Sequence, residues 1–281
     1  MSRELTAGSS WSLRRAAPDA GMEAERRTAA TRRVTALAGV GVLVLTGAWL
    51  AFAAASNNWL IDTGSAPEPH WALGPLAGAL PALTDASFSA LLVAMLAGYL
   101  LTVVSASALD DRALIGAAVV LTVLFTLTSP LLSSDVFGYV DYARLGALHG
   151  VNPYLRPPSA VPHDAVYPLV YWQSRTTPYG PLFTLLTYPL AHLSVAASVW
   201  AVKALIGLGA LAAIAFTVAT ARTLGIRPGP AAFLFGCNPL LLVYGVGGGH
   251  NDLLMAALCA AAVMALVQRR SAASGAAIVA A

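Results

Sequence analysis

Long apolar runs dominate the sequence, and they constrain its fold more than any other feature. Six such runs are separated by short polar breaks. A helix needs roughly 20 apolar residues to cross the hydrocarbon core of a bilayer. The runs therefore predict an all-α integral membrane protein, a multi-spanning helical bundle. They cover residues 34–55, 88–108, 113–132, 195–221, 231–245 and 253–267.

The composition excludes a soluble domain. Hydrophobic residues make up 58% of the chain and charged residues 10%, with a mean hydropathy of +0.71. Soluble domains carry about 25% charged residues. The net charge of +3 does not indicate nucleic-acid binding, because the arginines collect at the edges of the apolar runs, where they set the orientation of the spans.

The arginines also predict the topology. Residues 1–33 are polar and have no hydrophobic period, so we expect a disordered tail that stays in the cytoplasm, followed by a membrane domain over 34–281. Counted from a cytoplasmic N-terminus, the inner loops then contain an excess of arginine, as the positive-inside rule requires. A last apolar run begins at 274 and stops at 281, which predicts a domain truncated at its C-terminus. The inner-loop arginines are Arg112, Arg222, Arg227, Arg269 and Arg270.

Two further apolar stretches are too short and too rich in proline to cross the membrane. We expect residues 179–193 to lie at the outer interface or to form a re-entrant segment, and residues 71–83 to lie on the membrane surface. The Asn238-Pro239 pair predicts a kink in the fifth span, with Asn238 hydrogen-bonded across helices.

The largest outer segment, residues 133–178, is where the sequence places the chemistry, because long irregular loops usually need a functional reason. Asp135 directly follows the third span. It is either a helix cap or a general base that removes a proton from an incoming hydroxyl. Asp141 lies six residues later, on a different face of a helix. We interpret Asp141 and Arg144 as a helical ion pair.

A second polar cluster follows the fifth span. Three glycines at 247–249 allow tight turns and deliver His250, Asn251 and Asp252 to the start of the sixth span. These three side chains are candidate substrate-binding residues, although Asp252 could also be a helix cap. Lys203 lies inside the fourth span, where an ammonium group must either snorkel to the interface or meet an anion such as a lipid phosphate, and we include it among the candidate substrate-binding residues.

The rest of the outer segment is rich in proline and aromatic residues. Tyr179 and its aromatic neighbours are either interfacial anchors or surfaces on which a sugar stacks. Arg156 and Arg175 lie outside, against the orientation trend, and each could hold a phosphate group. We include all three residues among the candidate substrate-binding residues.

Three segments together resemble a known family. They read SSDVFGYVDYARLGALHGVNPY, TTPYGPLFTLL and NPLLLVYGVGGGHNDLLMA, in that order along the chain. Their order and membrane placement are similar to those of the polyprenol-phosphate-mannose-dependent alpha-(1,6)-mannosyltransferases of actinobacteria, which belong to the GT-C superfamily of membrane glycosyltransferases.

The resemblance implies a GT-C fold whose large outer loop carries short interfacial helices and supplies Asp135 as the catalytic base. It also implies transfer of a hexose, mannose by analogy, from a polyprenyl phosphate to a cell-envelope glycan or lipoglycan on the outer face of the plasma membrane. His250 and Asp252 would line the same cavity. No sugar nucleotide is needed. Some GT-C enzymes use a divalent metal ion, so a metal site that includes His250 and Asp252 stays open.

Two other classes of protein compete with this interpretation. A multi-pass transporter or flippase of a lipid-linked sugar would also carry polar residues and glycine breaks, but it would place its functional charges near the bilayer midplane. Here the acidic residues collect at the outer boundary, which favours an enzyme. A non-catalytic structural subunit is the third possibility.

Overall fold

The computed structural model of the chain describes residues 16–56, 60–61, 67 and 69–281. Within these residues it contains helices and connecting turns and no β-strand. One π-helix (Leu241–Gly247) and five short 3-10 helices join the α-helices. The fold is all-helical, as the sequence predicted. The α-helices are α1 (Ala16–Ala54), α2 (Asp85–Ser105), α3 (Asp111–Thr126), α4 (Asp135–Ala147), α5 (Pro181–Thr187), α6 (Val195–Thr223), α7 (Pro228–Gly236), α8 (Asp252–Val267) and α9 (Ser271–Ala280).

The first helix begins well before the first apolar run. Residues 16–33 are helical and continuous with the span that follows, where the sequence predicted a disordered tail. The stretch is rich in alanine, glutamate and arginine, which all have high helix propensity. Glu23 and Arg27 also form an i,i+4 ion pair at 2.6 Å. The structure thus describes residues 16–33 as the first part of α1, and residues 1–15 lie outside the described residues.

Fewer helices than predicted are long enough to cross a membrane. By length and composition, three of the described helices qualify: residues 21–54 of α1, α2 with its short extension to Ala108, and α6. A fourth is added if α7 and the π-helix form one broken span. The predicted spans at 113–132 and 253–267 correspond to α3 and α8, which have 16 residues each. That is shorter than the roughly 20 residues that a crossing requires.

The predicted kink at Asn238-Pro239 is present. The axes of α7 and the π-helix meet at 65° across this break. The Asn238 carboxamide does not bond across helices, however. Its Oδ1 accepts a hydrogen bond from the backbone N–H of Leu240 at 2.9 Å, which caps the new helix locally, as asparagine side chains commonly do at chain breaks.

The first two helices pack closely through small residues. A Cβ on Gly39 would lie 2.5 Å from Thr102 Oγ1 and 2.9 Å from the Gly98 carbonyl oxygen. A Cβ on Gly98 would in turn lie 2.7 Å from the Gly39 carbonyl oxygen. Such small-residue contacts let helix backbones approach each other in a membrane. They fix α1 against α2.

Neither proline-marked stretch forms a spanning helix, as predicted. Residues 179–193 contain the seven-residue α5 and a 3-10 helix (Tyr188–His192). The other stretch contains a 3-10 helix (His70–Leu73) that is docked on the bundle. There the Trp71 ring packs edge-on against Phe137 at 6.4 Å, and the Trp71 carbonyl accepts a hydrogen bond from Trp200 Nε1. Their placement at the outer interface stays a prediction.

The two ends of the bundle differ in polarity. At one end, Arg227 donates hydrogen bonds to Asp111 and to the carbonyls of Ser107 and Leu109, which joins the start of α7 to the α2–α3 turn. Arg32 and Arg33 line a cleft with the same turn. The C-terminal ends of α6 and α8 point to this end as well. The opposite end contains the loop after α3, α4 and the start of α8.

Candidate active site

Asp135 is the first residue of α4, at the polar end of the third apolar run. The Ser133 hydroxyl accepts a hydrogen bond from the Asp135 backbone N–H at 3.1 Å, which starts the helix. The preceding loop is anchored by two backbone bonds, from Leu131 N–H to the Gly247 carbonyl and from Leu132 N–H to the Leu60 carbonyl. The Asp135 side chain keeps 23% of its surface exposed. It is therefore fixed in position and still accessible.

His250 lies beside this carboxylate. Its Nδ1 is 3.4 Å from Asp135 Oδ2, and its ring stacks on Tyr244 with 5.8 Å between centroids. The glycine hinge makes this possible, because Gly249 has a φ of +73°, a conformation that favours glycine. Gly248 passes so close to the preceding loop that a Cβ would lie 2.9 Å from the Leu131 carbonyl oxygen. The hinge thus brings His250 next to Asp135.

The imidazole has one unused nitrogen. His250 Nε2 is buried and has no hydrogen-bond partner among the described residues. The Nδ1 that faces Asp135 is therefore the ring nitrogen with a polar neighbour, and Nε2 points away from the carboxylate.

Three tyrosines surround Asp135. Tyr139 is one helical turn further along α4, and Tyr179 packs edge-on against it at 4.6 Å between ring centroids. Burial raises the pKa of Tyr179 above its usual range, and the negative charge of Asp135 raises it further. Burial and the charges of Asp141 and Asp135 raise the pKa of Tyr142 to about 12. These phenols thus stay protonated at neutral pH and are hydrogen-bond donors.

Tyr139 also connects the site to Asn251. The Tyr139 hydroxyl donates to Asn251 Oδ1 and accepts from the Asn251 backbone N–H, both at 3.2 Å. Tyr139 was not among the residues predicted from the sequence. Its spacing could have revealed it, because residues four apart on a helix share one face and Tyr139 is four residues from Asp135.

Asp252 is the first residue of α8 and is exposed. It lines a surface cavity of about 410 Å³ together with His250 and Tyr244. The structure therefore brings His250, Asn251, Asp252 and Tyr179 together near Asp135. Among the described residues, no three His, Cys, Asp or Glu side chains cluster so that they could hold a metal ion.

Arg156 and Arg175 are both exposed and form no salt bridge among the described residues. Hydrogen bonds from tyrosine hydroxyls to backbone carbonyls connect their loop to the site. The Tyr142 hydroxyl donates to the Arg175 carbonyl at 2.9 Å, and the Tyr154 hydroxyl donates to the Tyr179 carbonyl at 2.9 Å. Their role in phosphate binding stays a prediction.

Lys203 does not snorkel to the interface. Its side chain is 1% exposed, and its Nζ donates to the Gly247 carbonyl at 2.7 Å and lies 3.5 Å from the Ser129 carbonyl. The ammonium thus faces the inside of the bundle, beneath the glycine hinge. Of the two alternatives given for Lys203, snorkelling does not occur, since backbone carbonyls that the sequence does not reveal are its partners. Its role in substrate binding stays a prediction.

The predicted ion pair between Asp141 and Arg144 is absent. Arg144 Nε instead donates to Asp164 Oδ1 at 2.8 Å, and His149 Nε2 lies 2.6 Å from the other oxygen of that carboxylate. Asp164 is 20 residues away, so helical spacing could not reveal it. Burial alone would raise the pKa of Asp164, but hydrogen bonds from Arg144 and His149 bring this pKa below its usual value. These contacts fold the outer loop onto α4.

An apolar groove of about 520 Å³ extends beside the site, between α5, α6, α8 and the end of α9. Asn251 is a polar residue in its lining, and it is the same asparagine that forms hydrogen bonds with Tyr139. The groove therefore begins one hydrogen bond away from the residues around Asp135. Its apolar lining includes Leu182, Phe183, Leu186, Leu205, Leu208, Phe216, Leu254, Met255 and Leu258.

Comparison with known proteins gives concordant matches. An alpha-(1->6)-mannopyranosyltransferase A of Corynebacterium glutamicum is 28% identical over 48% of this chain and 28% of its own length. A probable alpha-(1->6)-mannopyranosyltransferase of Mycolicibacterium smegmatis is 32% identical over 47% of this chain and 24% of its own. An alpha-(1->6)-mannopyranosyltransferase of Mycobacterium tuberculosis is 28% identical over 45% and 22%, respectively. The matches thus span about a quarter of these relatives.

No solved structure matches the chain. The family model described as the N-terminal domain of alpha-(1->6)-mannopyranosyltransferase matches residues 42–281, which include every helix from α2 onward and the whole candidate site. The chain therefore belongs to the alpha-(1->6)-mannopyranosyltransferase family.

Proposed function

We propose that this chain forms the catalytic part of a membrane mannosyltransferase that transfers mannose from polyprenyl phosphate to a cell-envelope glycan or lipoglycan. The observation that carries the proposal is the position of Asp135, which lies 3.4 Å from His250 and is surrounded by protonated phenols. A part-exposed carboxylate beside an imidazole is a suitable general base for a sugar hydroxyl.

The reaction is an inverting displacement. Asp135 removes the proton from an acceptor hydroxyl as that oxygen attacks the anomeric carbon of the donor. The bond between the anomeric carbon and the phosphate oxygen breaks, and its electron pair leaves with polyprenyl phosphate. Tyrosine rings line the place where the sugar binds, and the His250 imidazole holds the carboxylate or accepts its proton afterwards. Each of these roles uses a group within the described site.

The apolar groove favours a donor that is carried on a polyprenyl chain. A polyprenyl chain is a long hydrocarbon that must be accommodated beside its phosphate, and the groove runs from Asn251 along α6 and α8. The exposed guanidiniums of Arg156 and Arg175 belong to the loop that is bonded to Tyr142 and Tyr179. Arginine binds phosphate bidentately, so these two residues are the candidates for the donor head group.

The test is mannosyl transfer by the full-length protein in membranes, with radiolabelled polyprenyl-phosphate-mannose as donor and an oligomannoside as acceptor. Asp135→Asn keeps the shape of the side chain and removes the base, so we expect transfer to fall at least about 100-fold. GDP-mannose offered to washed membranes without polyprenyl phosphate should give no product.

Asp141→Asn is the matched control, because it makes the same change on the same helix, away from His250. We expect it to keep near-normal transfer. If Asp135→Asn keeps full activity, Asp135 is not the base. If the wild-type protein gives no transfer and instead moves the labelled lipid across the bilayer, it is a flippase and the enzyme assignment fails.

A further inference from the structure

One backbone carbonyl ties together the two loops that carry the candidate catalytic pair. The Gly247 carbonyl accepts a hydrogen bond from Leu131 N–H at 3.1 Å and a second from Lys203 Nζ at 2.7 Å. Leu131 precedes Asp135 by four residues, and Gly247 precedes His250 by three. The loop before α4 and the hinge before α8 therefore meet at this oxygen.

The Lys203 ammonium contacts both loops. Besides the Gly247 carbonyl, it approaches the Ser129 carbonyl, at 3.5 Å, in the loop that leads to Asp135. Its aliphatic stem lies directly under the hinge, since a Cβ on Gly249 would be 3.6 Å from Lys203 Cγ. The same point is 3.7 Å from Val136 Cβ, on the first turn of α4. The hinge is thus held between Lys203 and α4.

A buried ammonium is costly unless its donors are satisfied. Lys203 forms no salt bridge among the described residues, and its partners there are carbonyl oxygens and the Trp200 ring, 5.9 Å from Nζ. The Lys203 Nζ therefore donates to one carbonyl of each loop, and a side chain without donors at this place would leave both of these oxygens without it.

We propose that Lys203 is a positioning residue, which clamps the Gly247 and Ser129 carbonyls and so sets the distance between Asp135 and His250. It binds no substrate in this role, in contrast to the lipid-phosphate ligand considered from the sequence. The consequence of the clamp for catalysis depends on the proposed mannosyl transfer. The clamp itself is a property of the fold and can be measured without any donor.

The test compares Lys203→Met with Ser198→Ala in the protein reconstituted in lipid nanodiscs. Methionine keeps the unbranched stem and removes the ammonium. Ser198 is a matched control, because it is also buried on α6 and donates to a backbone carbonyl, that of Leu190 at 2.8 Å, away from the hinge. Hydrogen–deuterium exchange is followed in peptides that cover residues 129–134 and 245–250.

We expect amide exchange in both peptides to rise on the order of tenfold in Lys203→Met and to stay unchanged in Ser198→Ala. In the transfer assay, Lys203→Met should lower kcat and leave the donor KM close to that of the wild type. Rates are normalised to the amount of folded protein in each nanodisc sample, because a smaller folded fraction would also lower the apparent kcat without changing KM. A lower normalised kcat with an unchanged KM is then the signature of a misplaced catalytic pair.

Two outcomes would overturn the proposal. Unchanged exchange in both peptides would show that the ammonium does not hold the loops. A raised donor KM together with unchanged exchange would make Lys203 a ligand of the donor phosphate. If the wild-type protein shows no transfer at all, the proposed function fails, and the exchange comparison still decides whether the clamp exists.

Discussion

Two aspartates on α4 have opposite surroundings. The Asp135 side chain is 23% exposed and has His250 as a neighbour. Asp141 is 1% exposed, and its Oδ2 has no hydrogen-bond partner among the described residues. Residues six apart point to different faces of a helix, so one carboxylate reaches the site and the other faces the loop that covers α4. This difference makes the first suited to chemistry and the second a cost to stability.

The cost at Asp141 depends on pH. Burial, together with the negative charge of Asp164, raises the pKa of Asp141 from 3.8 to about 7. Between these values the folded protein keeps the proton and the unfolded chain loses it, so stability falls as pH rises from about 4 to about 7. Asparagine does not titrate. We therefore expect Asp141→Asn to raise the thermal midpoint by several degrees at pH 8 and by less at pH 5.

The control for this prediction is Asp164→Asn, for which the sign is reversed. The pKa of Asp164 is lowered, so its carboxylate stabilises the fold at neutral pH and loses this effect only in acid. That variant should unfold at a lower temperature than the wild type at pH 8. If Asp141→Asn changed the thermal midpoint equally at pH 5 and pH 8, its effect would not come from removing a buried carboxyl group that titrates between these values.

At the scale of the helices, small residues decide how closely α1 and α2 approach. A methyl group on Gly39 would meet the backbone of α2 at 2.9 Å, so Gly39→Ala must push the helices apart. Overpacking of this kind costs typically about 1–3 kcal/mol. We expect the thermal midpoint of Gly39→Ala to fall by several degrees, measured by the thermal unfolding of the purified protein.

Gly41 provides the matched control on the same helix. A Cβ at Gly41 has no atom within 4 Å, and alanine is the better helix former. Gly41→Ala should therefore unfold at the same temperature as the wild type or slightly above it. Equal losses in the two variants would mean that helix propensity, rather than contact between α1 and α2, determines their stability.

Features that depend on local pattern could be predicted from the sequence. Apolar runs reveal helices because burial in lipid requires them, and Asn238-Pro239 marks a break because proline lacks an N–H. The three glycines at 247–249 mark a tight turn because glycine tolerates a positive φ, which Gly249 adopts. The true partners of Arg144 and Lys203 could not be predicted, since one is a distant carboxylate and the others are backbone carbonyls. Spacing along a helix contains no information about either.

Helix length was harder to predict than helix position. The run at 113–132 continues through Leu127 to Leu132, yet α3 ends at Thr126. The six residues that follow include three leucines, but they leave the helix to form the loop before α4, where Leu132 has a φ of +57°. Hydrophobicity alone does not separate a span from a buried loop, because both are removed from water. This loop leads directly to Asp135. Because it takes residues from the apolar run, α3 is too short to be counted as a span.

For the whole molecule, the distribution of arginine supports an orientation. The end of the bundle opposite Asp135 contains Arg32, Arg33 and Arg227 at the turn between α2 and α3, and Arg222 at the end of α6. Cytoplasmic loops carry an excess of arginine and lysine. This arrangement predicts that the basic end lies in the cytoplasm and that the candidate site faces outward, where a cell-envelope acceptor would be found.

Single exposed cysteines test that orientation. Cys237 is buried and Cys259 half-buried, and both are replaced by alanine. Arg175→Cys and Arg222→Cys are then introduced, each at an exposed position. In intact spheroplasts, a membrane-impermeant maleimide should label Cys at 175 at once and Cys at 222 only after permeabilisation. The reverse pattern would place Asp135 in the cytoplasm, where sugar nucleotides are available, and would remove the reason for a lipid-borne donor.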